Sequence, residues 1–465
     1  MSIIAAFAVP HPPLIIPAVG RGEEKGISET VKAYNKVGKQ IAELKPETIV
    51  ISSPHTTMYR DYNHISPGKD AHGSFSQFGT PEASFWVNYD EEFTTALNAY
   101  AHKHQLSAGT AYERELALDH ATMIPLHFIQ KYYTDFKAVR IGLSGLSPAE
   151  HYKLGMAVQA VSNQLGRRTV YVASGDLSHK LKSSGPYGYA PEGPEFDKKI
   201  EEIFSTGNFL DLLTMDRSFA DRAAECGLRS FQIMAGALDG IPVKATLMSH
   251  EGPFGVGYGV ASFIPTGKGP DESRQFLKAY ERFHEQKLKG FKAREDPLVA
   301  LARKALETYV TTHRGIRLPT DLPSELTQTR AGCFVSLKED GELRGCIGTI
   351  APTRDNLAEE ICSNAVSAGT RDPRFPSVRP EELPELVYSV DVLQTPERIE
   401  SAQELDPKKY GVIVSTPDGR RGLLLPDLDG VDTAEQQISI AARKGNINPH
   451  DPDIYLERFE VVRHH

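Results

Sequence analysis

The run Ile3-Ile4-Ala5-Ala6-Phe7-Ala8-Val9-Pro10-His11-Pro12-Pro13 decides the fold. It opens with seven consecutive apolar residues and is stopped by proline, which reads as a strand buried on both faces. Five further runs read the same way: Thr48–Ser52, Ala138–Leu143, Thr169–Ala173, Ala245–Met248 and Ala261–Ile264. Between them lie amphipathic stretches with helical spacing, roughly Glu24–Lys45, Glu91–His104, Ala121–Tyr132, Pro148–Gln164, Pro194–Thr206 and Ala220–Leu238. Strands alternating with helices predict a doubly wound α/β/α sheet over residues 1–266. The segment Thr56–Phe85 has little periodicity and reads as a long functional loop.

Thr266-Gly267-Lys268-Gly269-Pro270 breaks this pattern, and a charged, helix-like stretch follows. Residues 267–294 therefore read as a connector. From residue 295 to 465 a helix (Leu298–His313) and short strands (Cys333–Leu337, Val387–Val392, Gly411–Ser415, Gly422–Leu425) predict a smaller α+β domain. A chain of 465 residues is long enough for two cores.

Composition narrows the function. Hydrophobic residues make up 40% and charged residues 24%, as in soluble globular proteins. A net charge of −9 argues against a general nucleic-acid binder. No apolar run approaches membrane-spanning length, and the N-terminus does not read as a signal peptide. Cys226, Cys333, Cys346 and Cys362 are widely spaced, which points to free thiols in a reducing cytoplasm.

Eleven of the sixteen histidines precede residue 266. His11 and His55 each follow a predicted strand, as does Glu251. Ligands collect beyond the carboxyl ends of strands in open α/β sheets. Two histidines and one carboxylate gathered there form a facial triad, which leaves open positions on non-haem Fe(II). His179 ends the segment Ser174-Gly175-Asp176-Leu177-Ser178-His179 after another strand. His120 follows Asp119 at a predicted helix start, where the aspartate serves as cap. His250 directly precedes Glu251, and the strand pleat sends the two side chains to opposite faces.

At these residues the first 265 or so positions resemble the class III extradiol dioxygenase superfamily, which also contains the Memo proteins. The resemblance rests on H-P-P at His11, S-P-H at His55, D-H-A-T at Asp119–Thr122, G-D-L-S-H at Gly175–His179 and E-G-P-F-G-V-G-Y at Glu251–Tyr258. It implies that His11, His55 and Glu251 hold Fe(II), that His179 is the acid/base, and that His120 lies in the substrate pocket. In Memo proteins the carboxylate position is a cysteine; with Glu251 in that role the site resembles the dioxygenase version. Zn²⁺ and Mn²⁺ are the alternative metals. The implied substrate is a small catechol-like or enediol molecule, and a homo-oligomer is expected.

Residues 295–463 resemble a second family, the AMMECR domain, through L-R-G-C-I-G at Leu343–Gly348 and N-A-V-S-A-G-T-R-D-P-R-F at Asn364–Phe375. The fusion is similar to the genetic unit in which Memo-like and AMMECR proteins accompany a radical-SAM enzyme. That resemblance implies one alternative to a dioxygenase, an O2-independent metal enzyme with a radical-SAM partner; a second alternative, from another class, is a metal-binding scaffold that recruits partners and catalyses nothing. Within this half, Arg344 beside Cys346 suggests an activated thiol, while strand burial predicts an inert one. Arg371 and Asp372 form either a polar pocket or an ion-paired turn.

Overall fold

The computed structural model describes residues 2–112, 117–428, 430–451 and 453–465. The chain divides into two compact units, Met1–His284 and Glu285–His465. The division falls inside a single helix, Phe276–Lys292, in the stretch read as a connector. Phe276 and Tyr280, on its first half, pack into the first unit's core. No helix among the described residues is long and apolar enough to cross a membrane.

The first unit is built on one six-stranded sheet: β1 (Ile3–Val9), β2 (Thr48–Ser53), β3 (Lys137–Gly142), β4 (Thr169–Ser174), β5 (Val243–Glu251) and β6 (Tyr258–Pro265). Their order across the sheet is β3-β2-β4-β1-β6-β5. The first four are mutually parallel, and the β5–β6 hairpin closes one edge antiparallel. Each parallel strand is buried along nearly its whole length, as both faces are covered. Alternate residues feed two cores: Ala6, Ala8 and Val50 pack on one side, and Ala5, Phe7, Val9, Ile49 and Ile51 on the other. The principal covering helices are α1 (Ser28–Leu44), α2 (His120–Gln130), α3 (Pro148–Leu165), α4 (Glu192–Thr206) and α5 (Leu228–Ala237).

Two expectations change. The segment Thr56–Phe85 is not a structureless loop, because Asp70–Phe75 and Thr80–Asn88 pair as an antiparallel hairpin. Its irregular side-chain pattern comes from a hairpin that is only partly buried. The helix expected over Ala220–Leu238 is two helices, Arg217–Ala223 and α5, separated by a turn that holds Cys226. Ala224 ends the first of them in the left-handed region, at φ 54°. Gly227 then allows a close approach, since a Cβ there would lie 2.6 Å from the Phe231 ring.

The second unit contains two four-stranded antiparallel sheets. The first carries Cys333–Glu339, Glu342–Gly348, Val387–Leu393 and Val461–His464, and helices Pro297–Thr312 and Leu357–Thr370 pack on it. The second carries Glu397–Ile399, Gly411–Ser415, Arg421–Leu424 and Tyr455–Phe459, with helix Ala434–Lys444 against it.

Candidate metal centre

His11 and His55 stand just beyond the carboxyl ends of β1 and β2, two strands separated in the sheet only by β4. The His11 ring is anchored at its back, with Nδ1 3.1 Å from Ser174 Oγ at the end of β4. Its backbone amide donates to Asp176 Oδ1 at 2.7 Å. This leaves His11 Nε2 facing His55 Nε2 at 3.1 Å. Cys226 Sγ approaches the same His11 nitrogen at 3.6 Å. Donor atoms of His11, His55 and Cys226 all lie within 4.8 Å of one another.

Asp119 ties a fourth residue to this group. Its carboxylate accepts from Ser53 Oγ at the end of β2 (2.6 Å) and caps α2 through the Thr122 amide (3.0 Å). The first residue of α2, His120, is thereby held with its ring centroid 4.2 Å from that of His55 and 5.5 Å from that of His11. His179 acts electrostatically on His11, and His55 acts on His179. The His179 ring packs 5.0 Å from Tyr187, and its buried Nε2 has no hydrogen-bond partner among the described residues.

The imidazoles are basic groups kept neutral. Burial, followed by the neighbouring histidines, pushes His11 well below the ordinary value. Burial and His55 push His120 and His179 each down to about 4. Burial raises the Cys226 thiol well above its usual value, and the Asp176 and Glu225 carboxylates add to this. A cavity of about 1040 Å³ opens beside His55 and His120. The 70–88 hairpin supplies Phe78, Phe85 and Trp86 to its wall, and Arg140 and Asp119 line it as well.

Glu251 does not join this group. Its carboxylate accepts from the Thr30 amide at 2.6 Å and the Thr30 hydroxyl at 2.7 Å, at the start of α1. The preceding His250 bonds Asp197 at 2.7 Å instead, as the strand pleat requires. The third donor that the fold brings within reach of His11 and His55 is the thiol of Cys226 rather than the Glu251 carboxylate, the residue type that the sequence resemblance associates with Memo proteins. The available signals for Cys226 were its being the sole cysteine before residue 266 and the glycine that follows it. Helical spacing through Ala220–Leu238 hid both.

The donor set suits a metal. With bonds of about 2.0–2.3 Å, nitrogen and sulfur ligands of a dication sit roughly 3.0–3.6 Å apart, close to the separations of His11, His55 and Cys226. The bond from His11 Nδ1 to Ser174 is the outer contact that fixes the orientation of a metal-binding imidazole.

In the second unit, Arg344 is spent on structure. Its guanidinium meets both oxygens of Glu382 at 3.1 Å and donates to the Pro376 carbonyl. It is not among the groups that act on the Cys346 thiol, which are Ser336, Arg374, Asp391 and Asp372, while Cys346 in turn acts on Lys444. Burial raises the half-buried Cys346 thiol. Asp372 accepts from the Cys346 amide at 2.9 Å and pairs with Arg374, which lowers its carboxyl to about 2. This is an ion-paired turn, and the Arg371 side chain is exposed beside it.

Residues 5–261 match the family model described as the catalytic LigB subunit of aromatic ring-opening dioxygenase. The chain belongs to the LigB family. Residues 299–464 match the AMMECR1 family, so the LigB domain is fused to an AMMECR1 domain. Protein CA_C1420 of Clostridium acetobutylicum is 42% identical over 472 residues, spanning 100% of this chain and 99% of the relative. A Thermotoga maritima protein is 52% identical over 171 residues, which is 37% of this chain and 98% of the relative. Among solved structures, the uncharacterized protein PH0010 from Pyrococcus horikoshii is 33% identical, covers 36% of this chain and 88% of its own, and has a TM-score of 0.34. The uncharacterized protein JW3007 from Escherichia coli K12 is 14% identical, covers 56% and 99%, and has a TM-score of 0.37.

Proposed function

We propose that the LigB domain is a metal-dependent enzyme of the extradiol-dioxygenase type, acting on a small catechol-like or enediol substrate in the cavity beside His55 and His120. The observation that carries this is the convergence of His11, His55 and Cys226 beyond the strand ends, next to that cavity. These three residues would hold Fe(II), with Zn²⁺ or Mn²⁺ as alternatives. Two neutral imidazoles and one thiolate leave a dication with the same net charge as two imidazoles and a carboxylate would. The bound dication supplies Lewis acidity toward substrate hydroxyls, and iron in addition supports O2 chemistry.

The chain's own residues do the rest. His179, neutral at pH 7 and with Nε2 unpartnered, takes the substrate proton and later returns it. His120 offers a neutral imidazole at a helix N-terminus, where partial positive charge favours an anionic oxygen. The Phe78 ring, 5.5 Å from His120 and edge-on to it, gives an aromatic substrate an apolar wall.

Cys226 favours a second reading, in which the same centre works without O2 alongside a radical-SAM protein. Thiolate is a softer donor than carboxylate and suits zinc better than the facial triad does. The deciding experiment is anaerobic purification with metal analysis, followed by O2 uptake with a catechol panel. The first reading expects about one iron per chain and substrate-dependent uptake. Bound zinc with no uptake on any catechol favours the second, and protein that binds no metal refutes both.

A further inference from the structure

The segment that carries His179 leaves β4 without regular structure, yet its backbone is fully engaged. Leu177 N donates to the Gly257 carbonyl (2.8 Å), and Gly257 N donates to the Ser178 carbonyl (2.8 Å). His179 N donates to the Ala223 carbonyl (3.1 Å), and Leu181 N to that of Gly255 (3.1 Å). The Asp176 and Lys180 amides go to side chains, Cys226 Sγ (3.4 Å) and Ser178 Oγ (2.9 Å), and so does the Ser178 amide. Its acceptor is Asp197 Oδ1 in α4, at 2.8 Å.

Asp197 is 2% exposed. Its Oδ2 faces His250 Nε2 at 2.7 Å, and His250 Nδ1 lies 2.6 Å from Glu201 Oε1. With a carboxylate at each nitrogen, His250 is held above its ordinary value by Asp197 and Glu201 despite its burial. The backbone is shaped around this carboxylate as well, since a Cβ on Gly257 would stand 2.0 Å from Asp197 Oδ2. Only glycine lets the 252–257 turn close on the His179 segment while Asp197 occupies its place. Asp197 is not among the charges that act on His179, so its influence is geometric.

We propose that Asp197, braced by His250 and seated against Gly257, is the positioning residue that fixes His179, a role that rests on His179 being the acid/base. A geometric role predicts an asymmetry between two substitutions. Asp197→Asn keeps an oxygen for the Ser178 amide, and its NH2 group donates to a neutral His250. Asp197→Ala keeps neither.

The test is diethyl pyrocarbonate modification of the full-length, anaerobically purified protein, read by peptide mass spectrometry at His179. His151, fully buried, serves as the internal reference. Asp197→Ala should raise the His179 rate roughly tenfold or more, as expected from losing a hydrogen bond to a charged acceptor. Metal content and the His151 rate should not change, and Asp197→Asn should stay within about twofold of wild type. Wild-type protection in Asp197→Ala overturns the proposal, as do equal rates in the two variants. If Asp197→Ala fails to fold, Gly257→Ala reads the same contact by displacing the carboxylate without deleting it; protected His179 there overturns the proposal. With a substrate in hand, Asp197→Ala should lower kcat without raising KM and add nothing in a His179→Ala background. An additive loss overturns it. Undiminished turnover in His179→Ala alone would refute the acid/base reading, whereas the labelling contrast measures positioning independently.

Discussion

The Glu251 carboxylate binds both the amide and the hydroxyl of Thr30, 221 residues earlier in the chain. Thr30 is the third residue of α1, and the residue before that helix, Ile27, has no side-chain acceptor. Glu251 therefore caps α1 from the end of β5, an anion placed at a helix N-terminus.

Glu251→Ala should retain its metal and lose about 1–2 kcal/mol of stability, the usual cost of a lost cap. Metal analysis after dialysis and denaturant unfolding check the two halves separately. A natively folded variant stripped of metal would return Glu251 to the site.

On the proposed reading, the metal depends on Cys226 in place of Glu251. Cys226→Ala should weaken binding by roughly a hundredfold or more, beyond what loss of an outer contact costs. Cys226→Asp should recover part of it by supplying a carboxylate. Full metal content in Cys226→Ala would exclude the thiol as a ligand.

The placement of Cys226, not Glu251, beside His11 and His55 shows how far the sequence was legible. The buried runs announced the parallel strands and put His11 and His55 at their ends, because a strand buried on both faces leaves a continuous apolar signature. Asp119 and His120 were readable as a helix start through capping chemistry. Cys226 was not, since Ala223-Ala224-Glu225 favours helix, yet the helix ends at Ala224 in the left-handed region. Glu251 followed a strand as a ligand would, but the strand is antiparallel and at the sheet edge. The hairpin at 70–88 was missed because partial burial erases strict alternation.

Protonation states set how metal binding responds to pH. Burial holds the free Cys226 thiol protonated well past its ordinary value, while His11 is held neutral well below its own. Metal binding must then expel one proton, from sulfur. Affinity should rise about tenfold per pH unit between roughly pH 7 and 8.5. Calorimetry in buffers of differing ionisation enthalpy counts the protons directly. A count of two or more would mean that a further group gives up a proton, either an imidazole or the Asp176 carboxyl, which burial pushes up to about 7.

His151 makes the fold acid-sensitive. It is fully buried, with Nδ1 3.0 Å from the Ser147 carbonyl and Nε2 3.4 Å from Ser144 Oγ. Burial lowers it to about 4 from 6.5. The unfolded chain therefore takes up the proton first as pH falls. The neutral ring's contribution is complete above pH 6.5 and is lost between 6.5 and about 4, at up to roughly 1.4 kcal/mol per pH unit. His151→Gln should flatten that part of the stability curve. Parallel curves for wild type and variant would refute the assignment.

The proposed acid/base role separates catalysis from binding at His179. Its ring acts electrostatically on His11 but shares no donor contact with His55 or Cys226, so His179→Ala should keep its metal. On any substrate that the wild type turns over, the variant should lose roughly a hundredfold in kcat, the range for a missing general acid/base. His120→Ala should instead act mainly through KM, since that ring faces the cavity. Metal loss in His179→Ala would make the residue a ligand, and an unchanged rate would remove it from the chemistry.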